Sequence, residues 1–315
     1  MKVLVLGESL PQAAQDGGNL RLLGLIRGLV FCGHEVDLAA FTQEEVSTGV
    51  VGLAGWCQRV AWVRLRPWAV KARAMAAILM NLPSNVAAYA SPEMEALVAR
   101  MAGERNYDLV LACRLRMAPF ARLFPGPKIL DLCDSLTLFS DRSSRTASRS
   151  WERWFHRVEG RKLKGYEAEA CEGFSKVLIT SSVDRNVLGL GPGRCEVMGN
   201  GVDLDDRPFG ALEGRRGILF LGYMGYGPNR EAARWLAGEI VPELWKKRDE
   251  EVVLVGANPP RGIPLVPGRS IGDHDFDAGA SPQSGSVATG PVEDLRPYLA
   301  GARAMLSRTV RWGKR

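Results

Sequence analysis

The stretch 197–229 constrains the fold more than any other. Met198-Gly199-Asn200-Gly201-Val202-Asp203 carries an Asn-Gly turn signal, and Asp205-Asp206-Arg207-Pro208 prolongs the break. An apolar run, Gly217-Ile218-Leu219-Phe220-Leu221, follows and ends in Gly222-Tyr223-Met224-Gly225-Tyr226-Gly227-Pro228-Asn229, where a helix is expected to begin. A strand, a Gly-rich turn and a helix start, so far into a chain of 315 residues, open a second α/β unit. The break before it reads as a hinge carried by Asn200, Gly201 and Asp203. The turn also gathers unpaired backbone N–H groups at a helix N-terminus, which suits a phosphate.

The first unit starts as βαβ. Residues 2–6 are a buried-strand run, Leu20, Leu23, Leu25, Ile26, Leu29 and Val30 give a helix its apolar face, Gly33 ends it, and 35–40 is a second strand. Asp16 is placed to cap the helix. Gly7 is followed by Glu8-Ser9-Leu10, so the G-x-G-x-x-G dinucleotide fingerprint is absent. Gly17-Gly18 at the helix start either allows a ligand close to the backbone or serves a tight turn. Further strands are predicted at 58–65, 107–113, 128–134 and 176–180, and helices at 70–81 and 91–103. Open α/β sheets bind ligands at strand C-terminal ends, which makes Arg114, Arg116, Asp131 and Asp134 site candidates. From position, Arg114, Asp131 and Asp134 are the catalytic candidates; Asp134 is equally placed to cap the next helix.

Residues 142–173 read as one long polar helix with Arg145, Arg149, Arg153, Arg157 and Arg161 every fourth position. It is a solvated face or, with Trp151 and Trp154 interleaved, a patch for an anionic membrane surface or lipid-phosphate acceptor: Arg149, Trp151, Arg153, Trp154, Arg157. The stripe lacks any nucleic-acid-module signature, so no nucleic-acid partner is expected.

In the second unit, strands are predicted at 217–222, 251–255, 286–290 and 302–306 and helices at 229–247 and 292–300. Residues 259–285 have no period. The six cysteines form no C-x-x-C pair and several sit in apolar runs, so they read as reduced thiols in a cytoplasmic protein, peripheral at most to the inner face of the membrane. His34, His156 and His274 lack metal-ligand spacing, and no metal or other cofactor is expected. There is no G-x-S-x-G elbow or Walker A loop.

Together these segments resemble the retaining glycosyltransferases of family 4, with their two-Rossmann GT-B fold. The resemblance rests on Asp16-Gly17-Gly18-Asn19 with Arg21, Gly33-His34-Glu35-Val36, Asn200-Gly201-Val202-Asp203, Phe220-Leu221-Gly222, Pro228-Asn229, Pro242 and Val255-Gly256. Leu130-Asp131-Leu132-Cys133-Asp134-Ser135-Leu136 and Gly290-Pro291-Val292-Glu293-Asp294-Leu295-Arg296-Pro297-Tyr298 look like the sugar transferases of bacterial exopolysaccharide and PEP-CTERM clusters. The resemblance implies an α/β chain of two Rossmann-like domains, 1–198 on the acceptor side and 199–315 on the donor side. It implies sugar transfer from a nucleotide-sugar to a saccharide or lipid-linked acceptor, with retention and without a catalytic cation. Donor contacts would come from Gly17, Gly18 and Arg21, and from Gly222, Asn229, Arg230 and Gly256.

The sequence departs from that family at three places. The turn 223–229 has no Lys, leaving Arg230 as the nearest cation. Cys113-Arg114 stands where many members carry a His. The family's helix with two glutamates and its final crossing helix have no counterpart after Leu306. The expectation is a C-terminally truncated transferase with an incomplete second domain, part of its core exposed and its activity impaired. The alternatives are a non-catalytic relic or acceptor- or membrane-binding module, and another GT-B-like enzyme such as a nucleotide-sugar epimerase.

Overall fold

The computed structural model describes residues 1–11, 17–43, 53, 55–78, 80–147, 149–201, 215–247, 251–263, 286–292 and 294–306. It divides into two compact units, Met1–Gly201 and Val202–Arg315. Asp16, Asp203, His274 and most of 259–285 lie outside the described residues.

The first unit is a seven-stranded sheet, every strand parallel to its neighbours, in the order β3-β2-β1-β4-β5-β6-β7. The strands are β1 Lys2–Gly7, β2 Glu35–Thr42, β3 Arg59–Arg64, β4 Leu109–Cys113, β5 Lys128–Cys133, β6 Lys176–Ile179 and β7 Cys195–Val197. Helices cover both faces, so Val3–Leu6 of β1 and Leu109–Cys113 of β4 are unbroken apolar runs, while β2 buries Asp37 within its own. On one face Val3, Val5, Leu38 and Leu111 pack with Leu22 and Ile26 of α1 (Gly17–Phe31). On the other, Leu4, Leu6, Phe41, Val110 and Ala112 pack with helices that follow β3 in the chain.

Local chemistry explains the helix bounds. Gly33, at φ +78°, closes α1: its N–H reaches Val30 O at 2.9 Å and His34 N–H reaches Leu29 O at 3.0 Å. After α2 (Pro67–Ile78) and the single turn α3 (Ser84–Ala87) comes α4 (Pro92–Glu104). Ser91 accepts from Met94 N–H to cap α4, Pro92 starts it, and Met94, Leu97, Val98 and Met101 are its buried stripe. A second single turn, α5 (Ala118–Ala121), leads to β5.

The long helix expected over 142–173 is two helices, α6 (Leu136–Thr146) and α7 (Ser150–Glu172). Two contacts run them antiparallel and force the break. Glu167 of α7 takes the Leu136 N–H at 2.6 Å and the Thr137 hydroxyl at 2.6 Å, holding the start of α6. Gly160 faces Ser140, where an added Cβ would come within 3.3 Å of the serine Cβ. Arg149 consequently sits in extended backbone at φ −94° and ψ 139°, so the arginine stripe does not run along one helix. Ser181 caps α8 (Ser182–Leu188).

The second unit is a four-stranded parallel sheet, β10-β9-β8-β11, made of β8 Arg216–Leu221, β9 Val252–Val255, β10 Ser286–Gly290 and β11 Ala302–Leu306. Phe220, Val252 and Leu254 pack with Ala232 and Ala233 of α9 (Gly227–Trp235), while Leu219, Val253 and Val255 pack with Tyr298 of α11 (Arg296–Gly301). The helix expected over 229–247 is α9, a wide π turn at Leu236–Ile240 and α10 (Val241–Trp245). Pro242 has no N–H to close a normal turn, which accounts for the widening. β8, β9 and β10 are largely buried, whereas Arg303, Ala304 and Met305 of β11 are exposed.

Candidate functional site

Strand order reverses between β1 and β4 in the first unit, so the loops leaving their C-terminal ends diverge and open a crevice. A small pocket lies there, lined by Glu8 and Ser9 after β1, the first turns of α1, Cys113 and Arg114 at the end of β4, and Asp131 and Cys133 in β5.

Arg21 and Asp131 form its floor. Nε and Nη2 of Arg21 donate to the two carboxylate oxygens of Asp131 at 2.8 and 2.7 Å. Nη1 donates to Met198 O at 2.9 Å and Asn200 Oδ1 at 3.0 Å. Burial works against the guanidinium charge, but the hydrogen bond and charge of Asp131 overcome it and hold the Arg21 pKa above its ordinary value. Both oxygens of Asp131, a candidate by its strand-end position, are thus engaged by Arg21. Arg21 is a strut joining α1, β5 and the segment after β7, and Asn200 is anchored by it. Gly201 stands at the end of the unit, exposed.

Arg114 lies above this floor. Its φ of +78° is unusual for a side-chain-bearing residue, and Cys133 at the next strand end has φ +66°. Each such conformation costs about 1–3 kcal/mol. Ladder-like bonds hold them: Arg114 N–H to Asp131 O at 2.6 Å, and Thr180 N–H to Cys133 O at 2.9 Å. The bend throws the Arg114 guanidinium across the start of α1, where a Cβ on Gly18 would fall 1.9 Å from Nη2. Gly18 is therefore required for the placement of Arg114. A cation and the N-terminal end of a 15-residue helix share one place, an arrangement that attracts an anion.

Glu8 completes the pocket and escaped the sequence reading. Its Oε1 takes the Arg116 guanidinium and, at 3.4 Å, the Tyr89 hydroxyl. Oε2 is buried, 3.8 Å from Arg114 Nε, and accepts no hydrogen bond among the described residues. Arg116 also bonds Asn85 Oδ1 and lies 4.9 Å from the centre of the Tyr89 ring. Burial, then the Glu8 charge, raise the Tyr89 pKa. The available signal was positional: Glu8 follows β1 as Arg114 follows β4. Burial pushes the Cys133 thiol up to about 11 and Cys113 well above its ordinary value, so both are thiols, not thiolates, at neutral pH.

Asp134 is exposed, outside the pocket lining, and accepts from the Thr180 hydroxyl at 3.0 Å. The cap of α6 is Ser135, whose Oγ takes Leu138 N–H, so the capping alternative for Asp134 is corrected. Its carboxylate points instead to the loop after β6. On α7, Trp151 and Trp154 are exposed with Arg149 and Arg157. Arg153 is turned back, donating to Ala147 O and Ser150 Oγ at 3.0 Å each.

In the second unit the ends of β8, β9 and β10 carry no side chains. Gly222, Gly256 and Gly290 stand there, with Gly222 N–H on Val255 O and Gly256 N–H on Gly290 O. Gly256 has φ +141°, and a Cβ on it would lie 2.0 Å from Gly222 O. Asn229 donates to Tyr223 O at 3.1 Å. Arg230 donates to Met224 O at 3.2 Å and Gly225 O at 2.9 Å. These two side chains shape the turn before α9. The glycines at these strand ends let the protein's own backbone and Asn229 close in: a Cβ on Gly222 would lie 3.0 Å from Asn229 Nδ2.

No protein-family model and no curated protein matches the sequence. Solved structures match it by shape. The UDP-GlcNAc 2-epimerase of Methanocaldococcus jannaschii matches with a TM-score of 0.51 at 13% identity, over 98% of this chain and 78% of that one. The glycotransferase of kitacinnamycin gives 0.50 at 14%, over 97% and 74%. Arabidopsis thaliana UGT89C1, solved with UDP, gives 0.52 at 12%, over 97% and 74%. The chain has the GT-B fold. Two parallel Rossmann-like sheets, the first in the doubly wound order, are its substance.

Proposed function

We propose that this chain is a sugar-nucleotide enzyme, a retaining glycosyltransferase moving a sugar from a nucleotide-sugar to a saccharide or lipid-linked acceptor in the synthesis of bacterial exopolysaccharide. The observation that carries the reading is the crevice at the strand reversal of the first unit, where the Arg114 guanidinium lies at the N-terminal end of α1, in a fold shared with proteins whose names include a UDP-sugar or UDP. In the reaction the anomeric C–O bond to the diphosphate breaks, one to an acceptor hydroxyl oxygen forms, and the hydroxyl proton passes to the leaving diphosphate. Negative charge gathers on the leaving diphosphate, so the site must supply fixed positive potential. In the first unit, Arg114 and the N-terminal end of α1 are sources of it. Asp131 acts through Arg21 as a positioning residue, and Asp134 stands aside.

The shared fold also includes a 2-epimerase, which supports a second reading as an epimerase acting on the same donor class. A third, non-catalytic reading assigns the exposed Arg149, Trp151, Trp154 and Arg157 to an acceptor or membrane surface. Calorimetry with UDP- and GDP-sugars, followed by mass spectrometry with and without saccharide acceptors, separates the three. Donor binding with acceptor-dependent release of nucleoside diphosphate, and NMR showing retained anomeric configuration, is the expected result. Isomerised donor without acceptor selects the epimerase, and no binding at millimolar donor overturns both enzyme readings.

A further inference from the structure

α2 is apolar on both sides: Val70 packs against the core and Ala77 is buried, yet large apolar side chains also point outward. A surface helix keeps its apolar stripe inward and its polar face in water. In α2 the one fully buried residue is Ala77, while Trp68 is 67% and Met75 69% exposed. Trp68, Ala72 and Met75 are spaced four and three residues apart and so share the outward face. Ile78, at 46% exposure, and Met80, at 59%, continue the apolar surface past the end of the helix. Trp62, on the edge strand β3, is exposed as well.

The charges that this stretch of chain itself carries have one sign. Between Arg59 and Glu93 the chain contains no Asp or Glu, and it holds Arg64, Arg66, Lys71 and Arg73. Glu93 is the carboxylate next to Arg73 and Arg66, and its own pKa is lowered, first by the Ser91 hydroxyl. α7 braces the element: Lys162 Nζ donates to Ala77 O at 3.0 Å and Ile78 O at 3.3 Å, tying down the C-terminal end of α2. Two exposed large side chains on a braced helix, with Arg66, Lys71 and Arg73 beside them in the chain, form an apolar surface of the sort that marks an interaction site.

We propose that the outward face of α2 docks on an anionic lipid surface, Trp68 and Met75 entering the headgroup region and Arg66 and Lys71 meeting lipid phosphates. The charge selects the occupant. A second copy of this chain would oppose like charges, whereas an anionic bilayer offers both the apolar boundary and the counter-charge. The inference does not depend on the glycosyl-transfer reading, nor on the α7 patch.

The test is sedimentation of the full chain with vesicles of phosphatidylcholine alone or mixed with phosphatidylglycerol, for wild type, Trp68→Ser/Met75→Ser and Arg149→Glu/Arg157→Glu. The expected result is binding to the mixed vesicles only, weakened at least tenfold by the α2 pair and retained by the α7 pair. Circular dichroism establishes that the variants are folded. Absence of wild-type binding, or equal binding by the folded α2 variant, overturns the proposal. So does a wild-type dimer in analytical ultracentrifugation that the α2 variant dissociates.

Discussion

Asp131→Ala removes both acceptors from a guanidinium whose side chain is 5% exposed, in a pair whose other member is 3% exposed. Breaking one half of a buried ion pair costs roughly 3–5 kcal/mol, because the remaining charge is left without its counter-ion. Arg21 keeps its bonds to Met198 O and Asn200 Oδ1, which places the expected loss at the lower end, about 3 kcal/mol. Asp131→Asn keeps the shape and one acceptor but not the charge, so about half that loss is expected, roughly 1.5 kcal/mol. Arg21→Met/Asp131→Leu removes both charges and should come back to within about 1 kcal/mol of wild type. Amide hydrogen exchange of β5 reports on the first unit alone. There, 3 kcal/mol corresponds to about a hundredfold faster exchange for Asp131→Ala. A change of less than about fivefold, or a double variant as unstable as the single one, would refute the view of this pair as a buried, mutually dependent strut.

Other substitutions test the glycines and one carboxylate. Gly18→Ala drives a Cβ into the Arg114 guanidinium, the movable end of a long side chain, so stability should change by only about 0.5 kcal/mol while binding of inorganic pyrophosphate to the pocket, measured by calorimetry, weakens at least tenfold. Gly256→Ala meets an immovable backbone oxygen at 2.0 Å and should cost the second unit about 3 kcal/mol, read as faster exchange in β8 and β9; unchanged exchange would contradict the packing of the strand ends. Burial raises the Glu167 carboxyl above the ordinary range, against hydrogen bonds from Thr137, Ser135 and the Leu136 and Thr137 amides that pull it down. The folded state therefore favours its protonated form, so this residue's contribution is greatest below the unfolded pKa and declines as pH rises through the raised folded value. Glu167→Gln should flatten that decline in melting curves taken between roughly pH 4 and 7, and parallel curves for both proteins would argue against it.

The strands were legible because helices cover both sheet faces, which turns buried parallel strands into mostly apolar runs such as 3–6 or 252–255. α4 was legible because a cap, a first-turn proline and a 3.6-residue stripe coincide. The break between α6 and α7 was not, because it depends on Glu167 and Gly160 meeting residues far back in the chain. Local helix signals continue straight through it. At the candidate site, strand-end position picked out Arg114 and Asp131, and the same rule would have picked out Glu8. What position could not supply was the partner: Arg21 and Asp131 are separated by 110 residues, and their pairing changes an exposed-looking carboxylate into an internal one. Likewise, Gly256 is explained only by the carbonyl of Gly222 beside it. The α2 face is not legible in the sequence because apolar residues at helical spacing ordinarily point inward.

Arg21 also sets an order of events. Its acceptors lie at Asp131 and at Met198 and Asn200, so the guanidinium near the start of the chain waits for almost the whole unit to be synthesised. A nascent chain ending before β7 leaves Nη1 without its carbonyl and amide acceptors, and one ending before β5 leaves the charge with no carboxylate. Emergence of residue 200 from the ribosome is thus the earliest point at which the first unit can lock, and a separately expressed first unit must extend through Asn200 to reach full stability.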